Sequence, residues 1–371
     1  MIRSHSPLLA CLALSVACAS QSSKGSENPD AGQYDGYYSE VDGSGGSTAT
    51  TTTADGETRA PTGPRPQART STGTRSGTRK TGKALTLVAK KPPVTTGEKD
   101  RPKRDLKGEF VVDGVFPTAA PAGSYIEVFG SGFPEDATQA KVFVGGKRLN
   151  VIESSADRIV AELTGAVTGP VEVGMGTGRL NKRNRAKSNV SFIGTAADGA
   201  FGQPRTKVGH GLLGVVYEID AGATEVPVVS ELAPKAYIAV DDLDIPSGEA
   251  PAGVAGLTQS YAIHFMGSLN VLEAGEYDLC LTAGDGAILY LDQTEVVNVD
   301  GSGAAREVCE ALYIEPGEYG VDLVYYQGAD TDAALTLTWA KDGGAKEAIP
   351  SDAFFPPEDI YGIAAGINQG G

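Results

Sequence analysis

The sequence predicts an all-β protein, two β-sandwiches carried behind a long N-terminal tether, and three observations predict it. Gly supplies 49 and Pro 21 of the 371 residues while only 21 % are charged, a balance that favours many short strands and tight turns over long helices. Apolar residues recur at period two in short runs bounded by turn residues, the mark of half-buried strands. Beyond the first twenty residues no run approaches about 18 consecutive apolar positions, so nothing downstream can span a bilayer as a helix.

The N-terminus reads as an export signal over residues 1–17. Arg3 supplies the positive start, and Pro7 to Ala17 (PLLACLALSVA) is an apolar segment too short to span a membrane. Its end, Ser15-Val16-Ala17-Cys18, resembles a bacterial lipobox, although Ser15 stands where that motif usually has Leu. The resemblance implies a lipid on Cys18 and a membrane anchor in the cell envelope, as an outer-membrane lipoprotein or at the cell surface; plain secretion is the alternative. Cys11 would leave with the signal. That leaves Cys280 and Cys309 as an even pair in an oxidising compartment, where a disulfide persists; a metal or thiol site would need more partners than the 3 His of the chain supply.

Residues 18–105 read as a disordered, basic tether. GSGGSTATTTT (Gly43 to Thr53) and the Thr/Gly/Pro/Arg run after it cannot bury enough apolar surface to offset the entropy of ordering. Gly77 to Lys83 (GTRKTGK) has the letters of a phosphate-binding loop, but Ala84 stands where Ser or Thr should hold magnesium, and no strand precedes it. Charge divides along the chain. Glu57 to Lys107 holds 14 basic against 4 acidic residues, a local +10, whereas Gly211 to Pro357 holds 4 basic against 25 acidic, a local −21. So acidic a domain repels nucleic acid and anionic lipid, and nucleic acid is excluded as its partner. The contrast also predicts that the tether contacts anionic envelope polymers while the head is held away.

Folding should begin near Leu106. Tyr125–Phe129, Lys141–Val144, Arg158–Leu163 and Val171–Val173 are alternating runs at roughly ten-residue spacing, as in a small sandwich. The segment VFPTAAPAGSYIEVFGSGF (Val115 to Phe133), followed by AKVFVGG, resembles the immunoglobulin-like TIG/IPT domain over residues 106–194. The resemblance implies a spacer or interaction module. The basic loop Arg179 to Lys187 reads as a solvated surface.

The pattern restarts after the Gly/Ala/Thr link Gly194 to Val208. GLLGVVYEID (Gly211 to Asp220) is followed by alternating runs at Tyr261–Gly267, Tyr277–Leu281, Tyr319–Tyr326 and Ala334–Trp339. The opening GLLGVVY, VDDLDIP, YAIHFMGSLNV, GDGAILYLD (Gly284 to Asp292), VVNVDG, EPGEYGVDLVYYQG, LTLTW and the final IP before FFP together resemble the PA-14 (protective-antigen) domain over residues 209–357. Residues 358–371 are left as a tail.

That resemblance implies a larger, lectin-like β-sandwich that binds a glycan or envelope polysaccharide, or supports adhesion. Its sugar-binding members hold calcium with two adjacent Asp before a Gly. Here Gly284 replaces the first, so the implied ligand and metal set is Asp285, Asn298 and Asp300, and calcium is expected to bind weakly or not at all, since a tight site uses more charged ligands. A glycan would then be held by direct hydrogen bonds and stacking, with the Gln327 to Asp332 loop as neighbour. Trp339, Tyr325 and Tyr326 read as strand packing and His264 as a partly buried structural residue. Asp241, Asp242 and Asp244 read as a solvated loop or an oxygen cluster. No G-x-S-x-G elbow, H-E-x-x-H or free Cys to pair with His is present, so an enzyme is not expected. The alternative to glycan binding is an architectural envelope protein with no glycan ligand.

Overall fold

The computed structural model describes residues 85–94, 109–176, 184–195, 204–245, 254, 256–329 and 333–369. The signal, Cys18, the Gly77 to Lys83 loop and residues 179–183 of the Arg179 to Lys187 loop lie outside them.

Two sandwiches are present, as the alternation predicts. After β1 (Leu85–Leu87), the first contains β2 (Val111–Phe116), β3 (Ala119–Pro121), β4 (Tyr125–Ser131), β5 (Ala140–Val144), β6 (Lys147–Arg148), β7 (Asn150–Ser154), β8 (Arg158–Glu162), β9 (Gly169–Met175) and β10 (Arg185–Thr195). A four-stranded sheet, β2-β4-β8-β7, and a five-stranded sheet, β3-β10-β9-β5-β6, enclose one core. Val115, Ile126, Val128, Val142, Ile159, Val171 and Phe192 fill it.

The second sandwich contains β11 (Leu212–Glu218), β12 (Pro234–Val240), β13 (Asp244–Ile245), β14 (Tyr261–Val271), β15 (Gly275–Ala283), β16 (Gly286–Leu291), β17 (Thr294–Asn298), β18 (Arg306–Ile314), β19 (Gly317–Gln327), β20 (Leu335–Lys341), β21 (Glu347–Ala348) and β22 (Phe354–Phe355), and helix α1 (Ile360–Gln369) ends the chain. One sheet runs β12-β11-β14-β19-β16-β17 with β22 on β14. The other runs β1-β18-β15-β20-β13 with β21 on β20. Inward residues such as Phe265, Leu279, Leu289 and Leu323 interlock between them.

The disulfide is present as expected. Cys280 and Cys309 face each other on the antiparallel pair β15 and β18, with their Cα atoms 4.0 Å apart. Closing a loop of 29 residues contributes about 3 to 4 kcal/mol in the chain-entropy account. The double Cys→Ser variant is expected to lose that much in denaturant melts, and a loss below about 1 kcal/mol would contradict it.

Two segments depart from the expectation. Residues 85–94, assigned to the tether, belong to the second sandwich: β1 pairs in parallel with Leu312–Ile314, Leu87 enters the core, and the Lys91 backbone bridges Glu318. Lys91 also pairs with Glu358 at 2.8 Å. Three residues are too short a run to display period two, which is why composition masked the strand. Residues 358–371, assigned to a tail, contain α1. Ile360 and Ala364, four apart on one helical face, are buried against Phe116, Phe129 and Leu213. The Gly114 position on β2 requires glycine, since a Cβ there would lie 2.4 Å from the Ala364 backbone.

These contacts join the two sandwiches. The shared cluster also contains Val215, Tyr217, Val229 and Val324, and the Thr118 N–H donates to the Tyr237 carbonyl at 2.8 Å. The link is anchored by Arg205, only 1 % exposed. Its guanidinium donates to Glu127 Oε1 at 3.1 and 3.2 Å, while Arg158 donates to Glu127 Oε2 at 3.1 Å.

Candidate functional site

The loops between β15 and β16, after β17, and after β19 meet at one end of the second sandwich. Asp285 ties them together. It is 1 % exposed, with Oδ1 accepting from the Gly303 N–H (3.0 Å) and Oδ2 from the Gly328 N–H (2.7 Å) and Gln327 Nε2 (3.3 Å). Three chain segments are thereby held by one carboxylate, and charge-assisted bonds of this kind are the strong ones. The Gln327–Gly328 part of the expected neighbouring loop is therefore in place; residues 330–332 lie outside the described residues.

Asn298 and Asp300 are exposed on the adjoining loop. Asn298 Oδ1 accepts from the Asp300 N–H at 2.9 Å, an Asx-type turn that fixes the loop. Asp300 Oδ1 accepts from the Gly301 and Val226 N–H groups, both at 2.7 Å. Gly286 allows this approach, because a Cβ there would lie 2.5 Å from the Tyr326 ring and 3.0 Å from Asp300 Oδ1. Asp285, Asn298 and Asp300 thus share one loop end, with Asp285 inside and the other two outside.

Sequence reasoning missed Arg306. Its Nη2 lies 2.5–2.7 Å from the carbonyl oxygens of Val299, Asp300 and Gly301, so a cation of the chain already gathers this loop. The available signal was its rarity: Arg306 is one of 4 basic residues between Gly211 and Pro357. The loop after β11, whose Val226 N–H reaches Asp300, was also not anticipated at this end. Tyr326 is fully buried behind Gly286, and its hydroxyl has no hydrogen-bond partner. Burial foremost, then the Asp285 and Asp300 charges, push the phenol up to about 12.

Calcium needs about 6 to 8 oxygen ligands. Here both oxygens of Asp285, one of Asp300, the Asn298 carbonyl and three loop carbonyls accept from the chain's own donors, and the Arg306 charge would repel a cation. The residues present do not fit the ion. Among the described residues, the one group of three His, Cys, Asp or Glu ligand atoms close enough to share a metal is Cys280, Glu307 and Cys309, and its two sulfurs are in the disulfide. Asp241, Asp242 and Asp244 form no such group. Burial raises the carboxyls of Asp241 and Asp242 above the usual range.

The remaining residues fall as expected. Tyr325 and Tyr326 are buried, with the Tyr325 hydroxyl on Gln327 Oε1 at 2.5 Å. His264 is half-buried and meets Asp322 at 3.1 Å. Trp339 packs on the core and also lines a groove at the other end of the sandwich.

Comparison with known proteins accords with this architecture. Family models match an IPT/TIG domain at residues 111–193 and a PA14 domain at residues 210–353. Among solved structures, the PA14 domain of MpAFP antifreeze protein is 21 % identical, with a TM-score of 0.33, over 39 % of this chain and 89 % of that one. A PA14 sugar-binding domain from an RTX adhesin is 21 % identical, with a TM-score of 0.34, over 40 % and 99 %. The epithelial adhesin 6 A domain from Candida glabrata, in complex with Galb1-3GlcNAc, is 12 % identical, with a TM-score of 0.31, over 42 % and 90 %. No curated protein matches the chain. With both domain models falling on the two observed sandwiches, in the observed order, this chain carries an IPT/TIG domain followed by a PA14 domain.

Proposed function

We propose that this is an envelope-anchored surface protein whose PA14 domain binds carbohydrate without catalysing a reaction. The observation that carries the reading is the loop end of that domain, where buried Asp285 and half-buried Arg306 hold exposed Asn298 and Asp300 in fixed positions. Binding groups on loops positioned by a rigid scaffold are the usual arrangement of a recognition site, and a preformed loop loses little entropy when it binds. Asn298 and Asp300 would contact sugar hydroxyls directly, with Asp285 as the positioning residue and no bridging metal. The acidic domain favours a neutral glycan or envelope polysaccharide over an anionic one.

Attachment would be through lipid on Cys18, with the segment from there to residue 84 setting reach. The IPT/TIG domain would serve as a spacer, locked to the PA14 domain by Arg205 and α1.

A glycan array probed with the full mature chain tests the reading. Binding to at least one neutral glycan is expected, unchanged by EDTA and weakened about tenfold or more, roughly 1.4 kcal/mol, in the Asn298→Ala, Asp300→Ala variant. Failure to bind any glycan would favour the architectural alternative. Release of the Cys18→Ser variant from membranes, with loss of the acyl mass on the N-terminal peptide, checks the anchor.

A further inference from the structure

The geometry points to a second carbohydrate-binding site, a metal-independent groove for a neutral saccharide at the end of the PA14 sandwich opposite the loops. It goes beyond the loop reading and shares with it only the ligand class.

Strand register separates the two ends. On β15 and β20, Ala283 pairs with Leu335 beside the loops, while Tyr277 pairs with Lys341 at the far end. Six residues of strand place them about 20 Å apart at roughly 3.3 Å per residue. The far end opens into a groove of about 580 Å³ lined by Tyr277, Trp339, Leu272, Lys341, Glu347 and His210, among others. That volume falls within the range of small-ligand pockets, about 300 to 1,000 Å³.

Its floor is apolar for a reason visible in the strand pattern. Leu335, Leu337 and Trp339 share the inward face of β20 at period two. The first two are buried in the core, but Trp339 is only half-buried, because the core opens into the groove at that level. Tyr277 lies beside it, with ring centroids 5.3 Å apart and planes tilted by 45°. Neither ring is loose: the Trp339 indole N–H donates to Glu347 Oε1 at 3.3 Å, and the Tyr277 hydroxyl donates to the Glu273 carbonyl at 2.8 Å. Leu272 stands on the rim, 62 % exposed, and adds apolar surface beside the two rings.

The polar lining selects the ligand. Glu273, Glu347 and Asp352 line the groove against one lysine, Lys341, which is itself paired with Glu273 at 2.9 Å. Carboxylates accept from sugar hydroxyls and repel acidic polysaccharides. His210 also lines the groove, its ring tilted against Phe355 with centroids 5.1 Å apart. A saccharide matches this combination, since the C–H face of a sugar ring covers the aromatic and leucine surface while its hydroxyls meet the acidic rim. A lipid would not match the carboxylates, and an anionic glycan would be repelled.

Trp339 is the only tryptophan of the chain, so its fluorescence reports this groove alone. Full mature protein titrated with β-1,4-linked glucose and N-acetylglucosamine oligosaccharides should show a saturable change in emission with at least one of them. Leu272→Asp, at an exposed position that leaves the core intact, should weaken binding at least tenfold by calorimetry, and Trp339→Ala should abolish it. The Asn298→Ala, Asp300→Ala variant should keep the fluorescence response. Binding that leaves Trp339 emission and the Leu272→Asp affinity unchanged but is lost with Asn298 and Asp300 would overturn the groove and leave the loop reading standing. No response to any of these saccharides, or equal affinity for acidic oligogalacturonate, would also overturn it.

Discussion

Arg205→Ala is expected to cost the fold about 3 to 5 kcal/mol, the penalty for removing one partner of a buried ion pair. At about 2 to 4 °C per kcal/mol for a large domain, the melting temperature should fall by roughly 10 °C. The expectation rests on Glu127, which is fully buried on β4 and accepts from Arg205 on one oxygen and Arg158 on the other. Without Arg205, part of a buried carboxylate charge loses its compensation. The Arg205 guanidinium also lies 5.5 Å from the Phe116 ring centroid, so the alanine would remove packing at the junction of the two domains as well. Pairing Arg205→Met with Glu127→Gln should be less harmful than the sum of the single changes, because the two residues act on one interaction. A loss below about 1 kcal/mol for Arg205→Ala in denaturant melts would show that Arg158 alone satisfies Glu127.

This junction also shows where sequence reasoning stops. Long alternating strands such as Tyr261–Val271 and Gly317–Gln327 were legible because one face is apolar along their whole length. Arg205 sits in a Gly/Ala/Thr stretch whose composition reads as a linker, and nothing local reveals that Glu127, 78 residues away, awaits it in the core. Helix α1 is ten residues long and holds two glycines, so its burial depends on Gly114 permitting close approach, a tertiary fact. Three-residue β1 is held by pairing with β18 rather than by its own pattern.

The functional end divides in the same way. Asp285, Asn298 and Asp300 were identified by resemblance, and the structure brings them to one loop end. What could not be read was that Asp285 would face inward: its role is decided by the Gly303 and Gly328 N–H groups, and backbone donors carry no sequence signature. Trp339 illustrates the converse. Its position in an alternating strand predicts packing, which is correct as far as it goes, but alternation cannot show that the core is open at the level where the strand ends.

Asp285→Ala is expected to destabilise the protein by about 3 to 5 kcal/mol, since it deserts two backbone N–H donors and an amide in a buried place, each worth about 1 to 3 kcal/mol when left unsatisfied with partial relief as water enters. Asparagine should rescue little. Donors approach both carboxylate oxygens, so whichever way the amide is turned, its NH2 faces an N–H. The variant's loops should exchange amide protons faster at Gly303 and Gly328, and glycan affinity at Asn298 and Asp300 should fall with their loss of positioning, whereas saccharide binding measured through Trp339 at the far end should persist. The same melts decide the metal question. Bound calcium at a hundred times its dissociation constant would stabilise the folded protein by about 2.7 kcal/mol, so wild-type protein with millimolar calcium should melt together with an EDTA-treated sample if Arg306 has taken over the organising charge. A calcium-dependent rise of several degrees that disappears in Asp285→Ala would instead place the ion among these loops, and Arg306 would then have to be displaced from the carbonyls of Val299, Asp300 and Gly301.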